Sequence, residues 1–284
     1  MSERTKAPTW RALLAAGTER LGDAADARRI AEEASGWEGA ELILNLDEET
    51  ELLTYARWSA MVDRRAGGEP LQYVLGRWGF RSLDLFVDGR VLIPRPETEE
   101  VVSHALAELD RLDGKVVVDL GTGSGAIALA VAVERKGVEV WATDASVDAI
   151  EVARANLAGA GRAAARVRLA AGSWFSPLPS ELRGAIDLVV ANPPYVATGE
   201  QLPAEVAEWE PVTALVAGPT GLEAIEAVVA EAAVWLRRPG ALVVEIGETQ
   251  SAAALALARQ EGFAEAETRV DAAGRDRVLV ARVS

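Results

Sequence analysis

Two short stretches carry residue types in an order suited to group-transfer chemistry. The first, Val117-Val118-Asp119-Leu120-Gly121-Thr122-Gly123-Ser124-Gly125, ends an apolar run in three alternating glycines, and Asp144 lies nineteen positions beyond Gly125. Glycines at the end of a buried strand let backbone approach a nucleoside, and a carboxylate at the end of the next strand accepts hydrogen bonds from both ribose hydroxyls. A dinucleotide, a nucleotide phosphate and S-adenosylmethionine compete for such a loop. The Gly-x-Gly-x-Gly spacing departs from the dinucleotide fingerprint, and Asp119 is expected to repel a pyrophosphate while favouring a sulfonium or ammonium. The balance points to the methyl donor, against the bland alternative of a turn that holds nothing.

The second stretch is Ile186–Ala191 running into Asn192-Pro193-Pro194-Tyr195. Two prolines stop the strand and remove two N–H donors, leaving a stiff turn rich in acceptors, which suits an NH2 group. A planar amide or exocyclic amine is a poor nucleophile because its lone pair is delocalised. The Asn192 side-chain oxygen and the Pro193 carbonyl, each accepting one N–H, would hold the nitrogen in line with a sulfonium and stabilise the charge developing on it. The Tyr195 ring is placed to pack on the flat group, and no histidine or cysteine base is required. Alone, an Asn-Pro-Pro turn is an ordinary end to a strand; beside the glycine loop the catalytic reading gains weight.

Both stretches need strands behind them. The patterns predict strands over Lys115–Leu120, Val138–Thr143, Arg166–Ala171, Ile186–Ala191 and Ala241–Ile246, with helices over Ala126–Arg135 and Val147–Leu157. Continuous apolar strands separated by helices imply an α/β fold with a mostly parallel sheet covered on both faces. Glu265–Val270 and Arg277–Val283 are expected to close it as an antiparallel C-terminal hairpin. Before residue 70 the text is helical (Trp10–Arg20, Ala24–Ala34, Trp37–Leu44, Glu49–Arg65), with Trp10, Trp37 and Trp58 as core or partner-face anchors. Between 71 and 95, Asp88-Gly89 predicts a hairpin turn joining Leu83–Val87 to Val91–Ile93. The boundaries expected are a helical domain over 1–70, a β-hairpin connector over 71–95 and the main domain over 96–284.

Composition excludes much else. With 29 basic against 44 acidic side chains, the formal net charge of −15 opposes a free-standing nucleic-acid binder and favours a protein or small ligand. No cysteine and a single histidine, His104, leave no disulfide, thiol nucleophile or Cys/His metal cluster. No apolar run is long enough to span a bilayer, so a cytoplasmic protein with no membrane association is expected.

At this point the chain resembles the HemK/PrmC protein-(glutamine-N5) methyltransferases of release factors. The resemblance rests on Pro70-Leu71-Gln72-Tyr73-Val74-Leu75-Gly76 with Phe80, on Leu92-Ile93-Pro94-Arg95-Pro96-Glu97-Thr98-Glu99, and on Asp119 to Gly125. Asn192 to Tyr195, Glu210-Pro211 with Ala214-Leu215, Glu245-Ile246-Gly247 with Gln250, and Gly274-Arg275-Asp276-Arg277 follow in the family's order. It implies a Rossmann-like class I methyltransferase sheet preceded by a small α-helical domain that helps hold the release factor. By the same resemblance Gly121, Thr122, Gly123, Ser124, Gly125, Asp144, Trp174 and Asn192 would contact S-adenosylmethionine. Asn192, Pro193, Pro194 and Tyr195, with Arg95 and Glu97 on the neighbouring loop, would meet the substrate, the glutamine of a Gly-Gly-Gln loop. The expected partner is a peptide chain release factor met by a monomer, with no nucleic acid contacted directly and no metal. Ser173 stands where many relatives carry an acid and Thr220 where they usually carry Asp; a weaker or backbone-made adenine contact is expected at the former. A ribosomal-protein glutamine methyltransferase would share almost every motif, whereas a DNA adenine N6-methyltransferase conflicts with the charge.

Overall fold

The first helices begin where the sequence offers side-chain acceptors. In the computed structural model, which describes residues 7–284, Thr9 Oγ1 accepts from Ala12 N (3.4 Å) at the start of α1 (Trp10–Leu21). Asp23 accepts from Ala25 N (2.7 Å) and Asp26 N (3.1 Å) at the start of α2 (Ala24–Ser35). These caps satisfy amides that a first helical turn leaves unpaired. Next come α3 (Ala40–Leu44), α4 (Leu52–Ala66) and α5 (Leu71–Leu75). The third helix starts three residues later than periodicity places it, because Gly39 takes a φ of 56°. Trp10, Leu13, Ile30, Leu42, Trp58 and Met61 bury a common core, and Trp37 packs edge-on to Trp10 at 6.0 Å. Leu71 and Val74 belong to that core, so this compact unit extends through Arg77 and the second one is Trp78–Ser284.

The hairpin differs from the expectation. Its strands are β1 (Arg77–Phe80) and β2 (Leu83–Phe86), turning at Arg81-Ser82 rather than at Asp88-Gly89. Arg81 adopts a φ of 51°, and its guanidinium bonds the Glu134 carboxylate (2.5 and 2.7 Å) and the Glu99 carbonyl (2.9 Å). Asp88 instead accepts the Arg90 amide (3.0 Å) and pairs with its guanidinium, a local turn with no strand after it.

The second unit continues through α6 (Pro96–Leu112), β3 (Val116–Leu120), α7 (Ala126–Glu134), β4 (Glu139–Asp144), α8 (Val147–Gly159), β5 (Val167–Ala171) and β6 (Ile186–Ala191). Then come β7 (Val196–Ala197), α9 (Ala204–Trp209), α10 (Val212–Leu215), β8 (Val216–Gly218), α11 (Glu223–Trp235) and β9 (Leu236–Glu245). The last elements are α12 (Ser251–Gln260), β10 (Glu265–Val270) and β11 (Asp276–Val283). The seven-stranded sheet has the order β10-β11-β9-β6-β3-β4-β5. Its strands β3, β4, β5, β6 and β9 pair in parallel, while β11 runs antiparallel to both β9 and β10. This is the mostly parallel sheet with an antiparallel terminal hairpin that the sequence predicts. All six residues of β6 are buried, as a central strand covered on both faces requires. Chain order reverses between β3 and β6, so the crevice beyond the carboxyl ends of these two strands is where such a sheet takes a ligand. Among the described residues, no helix is long and apolar enough to cross a membrane.

Candidate active site

The glycine loop leaves β3 and enters α7 under several restraints. Gly121 N and Thr122 N both donate to the Thr143 carbonyl at 2.9 Å, tying the loop to β4. Gly123 has a φ of 56°, and a Cβ there would meet no atom within 4 Å, so its bare backbone faces open space. Gly125, with a φ of 85°, packs where a Cβ would lie 3.3 Å from Leu129 and 3.4 Å from Ala153. A side chain there would strain the left-handed backbone and crowd both neighbours, which favours glycine.

Asp119 does not do what its position in the sequence implied. It is fully buried, and its Oδ2 accepts from the Thr122 hydroxyl (2.6 Å) and from Ala128 N (3.1 Å). Desolvation pushes its carboxyl up to about 7, with the Asp144 charge adding to the shift. Its Oδ2 therefore fastens the loop from below. Asp144 sits differently. Its Oδ2 accepts from Gly123 N (2.8 Å) and its Oδ1 from Ser146 N (2.9 Å), which fixes the carboxylate in plane. Burial raises its pKa, and the two amides oppose that rise. Each oxygen keeps a further lone pair, enough for two vicinal hydroxyls.

These groups line a cavity of about 490 Å³. Its lining includes Gly121, Thr122, Gly123 and Ser124 of the loop together with Asp144, Ser173, Trp174, Asn192 and Pro194. A Cβ on Gly121 would stand 3.5 Å from the Trp174 ring, so the indole lies directly against the loop. Trp174 is held in a left-handed backbone conformation, φ 45°, with its carbonyl accepting from the Thr143 hydroxyl at 2.8 Å. Arg90 is the cation in the lining, and it is engaged by Asp88 at 2.7 Å, so no unpaired cation awaits a phosphate. A ribose carboxylate, an aromatic wall, an exposed glycine backbone and the lack of a phosphate clamp fit S-adenosylmethionine better than a nucleotide phosphate or dinucleotide.

Asn192 follows the last residue of β6. Its Nδ2 donates to Thr98 Oγ1 (3.1 Å), and Thr98 Oγ1 donates to Glu245 Oε2 (2.7 Å). Glu245 is fully buried at the end of β9, and desolvation pushes it up to about 7, with Glu97 raising it further and Thr98, Arg277 and Tyr195 opposing. Pro193 is buried beneath the turn. The Tyr195 phenol is largely buried and its pKa is raised, first by desolvation and then by Glu245. Gln250 holds the turn from outside, its Nε2 donating to the carbonyls of Tyr195 and Gly221 at 3.0 Å each.

The structure therefore brings Gly121, Thr122, Gly123, Ser124, Asp144, Trp174, Asn192 and Pro194 to one cavity, while Gly125, Pro193 and Tyr195 adjoin lining residues in the chain without lining it themselves. Arg95 and Glu97 do not line it either. The Arg95 guanidinium pairs with the buried Glu210 carboxylate, which also accepts from Ile93 N at 3.1 Å. This pair clamps the segment before α6 against the α9–α10 corner. Thr220 likewise stays outside, its amide and hydroxyl bonded to Glu223 at 2.8 and 2.9 Å. In the sequence, Thr98, Glu210 and Glu245 carry the family resemblance, and no role at the site is expected of them. A carboxylate inside the apolar run Ala241–Ile246 was the available signal, because such a group needs a buried partner.

The fold and this cavity define an S-adenosylmethionine-dependent methyltransferase, and the Methyltransferase small domain family matches residues 101–208. The PrmC N-terminal domain family matches residues 12–76. A release factor glutamine methyltransferase from Xylella fastidiosa strain Temecula1 is 40% identical over 276 residues, covering 97% of this chain and 98% of that one. One from Moorella thermoacetica is 42% identical over 279 residues, covering 95% and 94%. The chain belongs to the release factor glutamine methyltransferase family. Among solved structures, the N-terminal domain of human METTL16 in complex with SAH aligns with a TM-score of 0.52 at 14% identity, over 99% of this chain and 98% of that one. The Thermus thermophilus 16S rRNA N2 G1207 methyltransferase RsmC, in complex with AdoMet and guanosine, aligns with a TM-score of 0.51 at 20% identity, over 73% and 50%. At such identities the likeness is one of fold alone.

Proposed function

We propose that the chain transfers the methyl group of S-adenosylmethionine to the side-chain amide nitrogen of a glutamine in a peptide chain release factor, the glutamine of its Gly-Gly-Gln loop. The observation that carries this reading is the Asn192 amide. Its nitrogen is tied back to Thr98, it lines the same cavity as the glycine loop and Asp144, and its oxygen accepts no hydrogen bond from the described residues. When bound, the donor supplies an electrophilic methyl on a sulfonium. Asp144 takes the ribose hydroxyls, the loop backbone lets the nucleoside approach, and Trp174 walls the cavity. Asn192 Oδ1 and the Pro193 carbonyl accept the two N–H bonds of the substrate amide, which holds its nitrogen in line with the methyl. The nitrogen forms its new bond to carbon as the carbon–sulfur bond breaks, and the proton then leaves to water. As positive charge grows on nitrogen, both acceptors bind its hydrogens more strongly than in the ground state, which lowers the barrier without a base. Tyr195 supports the turn, Arg95 acts through the segment before α6, and Glu97 stands in the first turn of that helix.

The names of the relatives support the release factor as partner, and the net charge of −15 favours a protein over a nucleic acid. A helical domain that helps hold the release factor, followed by a hairpin connector and the methyltransferase domain, is the organisation we propose for a monomer acting in the cytoplasm without a metal. The test is peptide mapping by mass of a purified release factor incubated with the enzyme and donor, beside a factor with its loop glutamine replaced by alanine. One added methyl on that glutamine, missing from the control, is expected. Methylation only of a ribosomal-protein glutamine or a nucleobase would overturn the assignment.

A further inference from the structure

An asparagine amide has two ends of nearly equal shape and opposite hydrogen-bonding sense. Only one orientation offers an oxygen to a substrate N–H. We infer that Thr98 and Glu245 are positioning residues, forming a relay that locks the Asn192 amide with its oxygen toward the cavity.

The argument follows the single proton of the Thr98 hydroxyl. Above about pH 7, where Glu245 is ionised, it only accepts, and its Oε2 receives that proton at 2.7 Å. The hydroxyl then presents lone pairs alone to Asn192. It accepts from Nδ2 at 3.1 Å and would repel Oδ1 in the same place. Flipping the amide would oppose two acceptors at the relay and, at the other end, turn an NH2 group toward the NH2 of the substrate. Both ends of the amide therefore fail together, so one buried carboxylate selects between two sterically equal states. The three residues come from distant places, Thr98 from the first turn of α6, Asn192 from the end of β6 and Glu245 from the end of β9. Thr98 is 3% exposed and Glu245 0%, so water does not substitute for either partner. Glu97, Arg277 and the Tyr195 hydroxyl face the same carboxylate, and Tyr195 belongs to the turn that Asn192 begins. The relay thus joins both polar side chains of the turn to one anchor.

This inference rests on the amide-gripping reading above, and the experiment separates the two. Thr98→Val removes the hydroxyl at nearly constant volume, Thr98→Ser returns it, and Glu245→Gln replaces the obligate acceptor with a group that also donates. Methyl transfer to the release factor is measured at saturating donor, alongside donor affinity by calorimetry. Thr98→Val and Glu245→Gln are expected to lower kcat by about tenfold to a hundredfold while donor affinity changes less than about threefold, and Thr98→Ser to restore most of kcat. In parallel, the side-chain NH2 resonances of 15N-labelled Asn192, assigned by their loss in Asn192→Asp, are expected to be widely split in the wild type and to converge in Thr98→Val. An unchanged kcat or unchanged resonances in Thr98→Val would overturn the relay, as would a Thr98→Ser variant no better than Thr98→Val. If the wild type adds no methyl to the glutamine, the functional reading fails, and the resonances still decide the relay by themselves.

Discussion

Replacing Asp144 by alanine isolates the carboxylate that, in this structure, has lone pairs facing the cavity and no cation beside it. Its oxygens accept from Gly123 N at 2.8 Å and Ser146 N at 2.9 Å, and one further acceptor site on each remains for the two ribose hydroxyls. A hydrogen bond to a charged acceptor contributes about 1.5–3 kcal/mol, so losing two weakens donor binding by about 3–6 kcal/mol. The site is partly open to solvent and the lower half of that range applies, which corresponds to roughly a hundredfold to a thousandfold in Kd. Asp144→Asn is expected to fall between wild type and Asp144→Ala, since its NH2 must face either a loop amide or a ribose hydroxyl as donor against donor. Titration calorimetry with S-adenosylhomocysteine reads these changes directly. A 2′-deoxy analogue sharpens the test, because its penalty in the wild type should vanish in Asp144→Ala if the carboxylate holds that hydroxyl. Equal penalties in both proteins, or an Asp144→Ala affinity within threefold of wild type, would refute the assignment.

Asn192→Ala removes the proposed acceptor while sparing the ribose site, so kcat should drop by about a hundredfold or more with donor affinity nearly unchanged, as separate turnover and binding measurements would show. Stability should decline from mildly acidic to mildly alkaline pH. Asp119, facing Asp144, and Glu245, facing Glu97, Arg277 and Tyr195, are both pushed up to about 7. Unfolded, they titrate near pH 4, so their contribution is complete below that value and is lost as pH rises through about 7. Carboxylates held low by hydrogen bonds or arginine partners, such as Asp88, Glu108 and Asp271, act in the opposite sense, and only in stronger acid. Urea midpoints between about pH 5.5 and 8 should fall, with a shallower slope in Asp119→Asn; a rising midpoint would contradict the argument. Arg95→Ala leaves the Glu210 carboxylate, 2% exposed, without its cation, and should lower unfolding free energy by about 3 kcal/mol. Arg95→Met with Glu210→Met should recover much of that in thermal melts, and no recovery would mean that the pair does more than balance charge.

Sequence legibility followed the range of the interactions involved. The glycine loop was readable because an apolar run, its stop and the helix after it are contiguous, and the same holds for β6 and its two prolines. The hairpin was misplaced although Asp88-Gly89 is a strong local turn signal. Arg81 takes the turn instead, in an uncommon backbone conformation held by Glu134, fifty-three positions away. No window of local pattern contains that contact. Asp119 enters the sequence reading only as a charge that repels a pyrophosphate and favours a sulfonium, but whether a residue at a strand end points into the crevice or beneath the loop depends on pleat and on which amides are left unsatisfied. Ala128 N and the Thr122 hydroxyl decided it. α11 and α12 went unassigned amid alanine-rich text, where apolar residues nearly all round the helix blur the period.

The polar groups beneath the cavity suggest why the chemistry needs so few side chains inside it. A neutral amide gains positive charge during transfer and gives up its proton only afterwards, so the site needs two well-aimed acceptors and little else. On the mechanism proposed above, neither acceptor is charged. Gln250 ties down the turn through the Tyr195 carbonyl, and Thr98 holds the Asn192 side chain by its Nδ2. In the inferred relay the ionisable group stands one step back, at Glu245, which accepts from the Thr98 hydroxyl. A carboxylate placed at the cavity itself would accept the N–H as well, yet it would also pair with the sulfonium and hold the donor most tightly before transfer, when binding does not lower the barrier. Keeping the anion behind Thr98 supplies orientation while avoiding that ground-state attraction. On this argument Asn192→Asp should bind the donor at least as tightly as wild type and still turn over slowly.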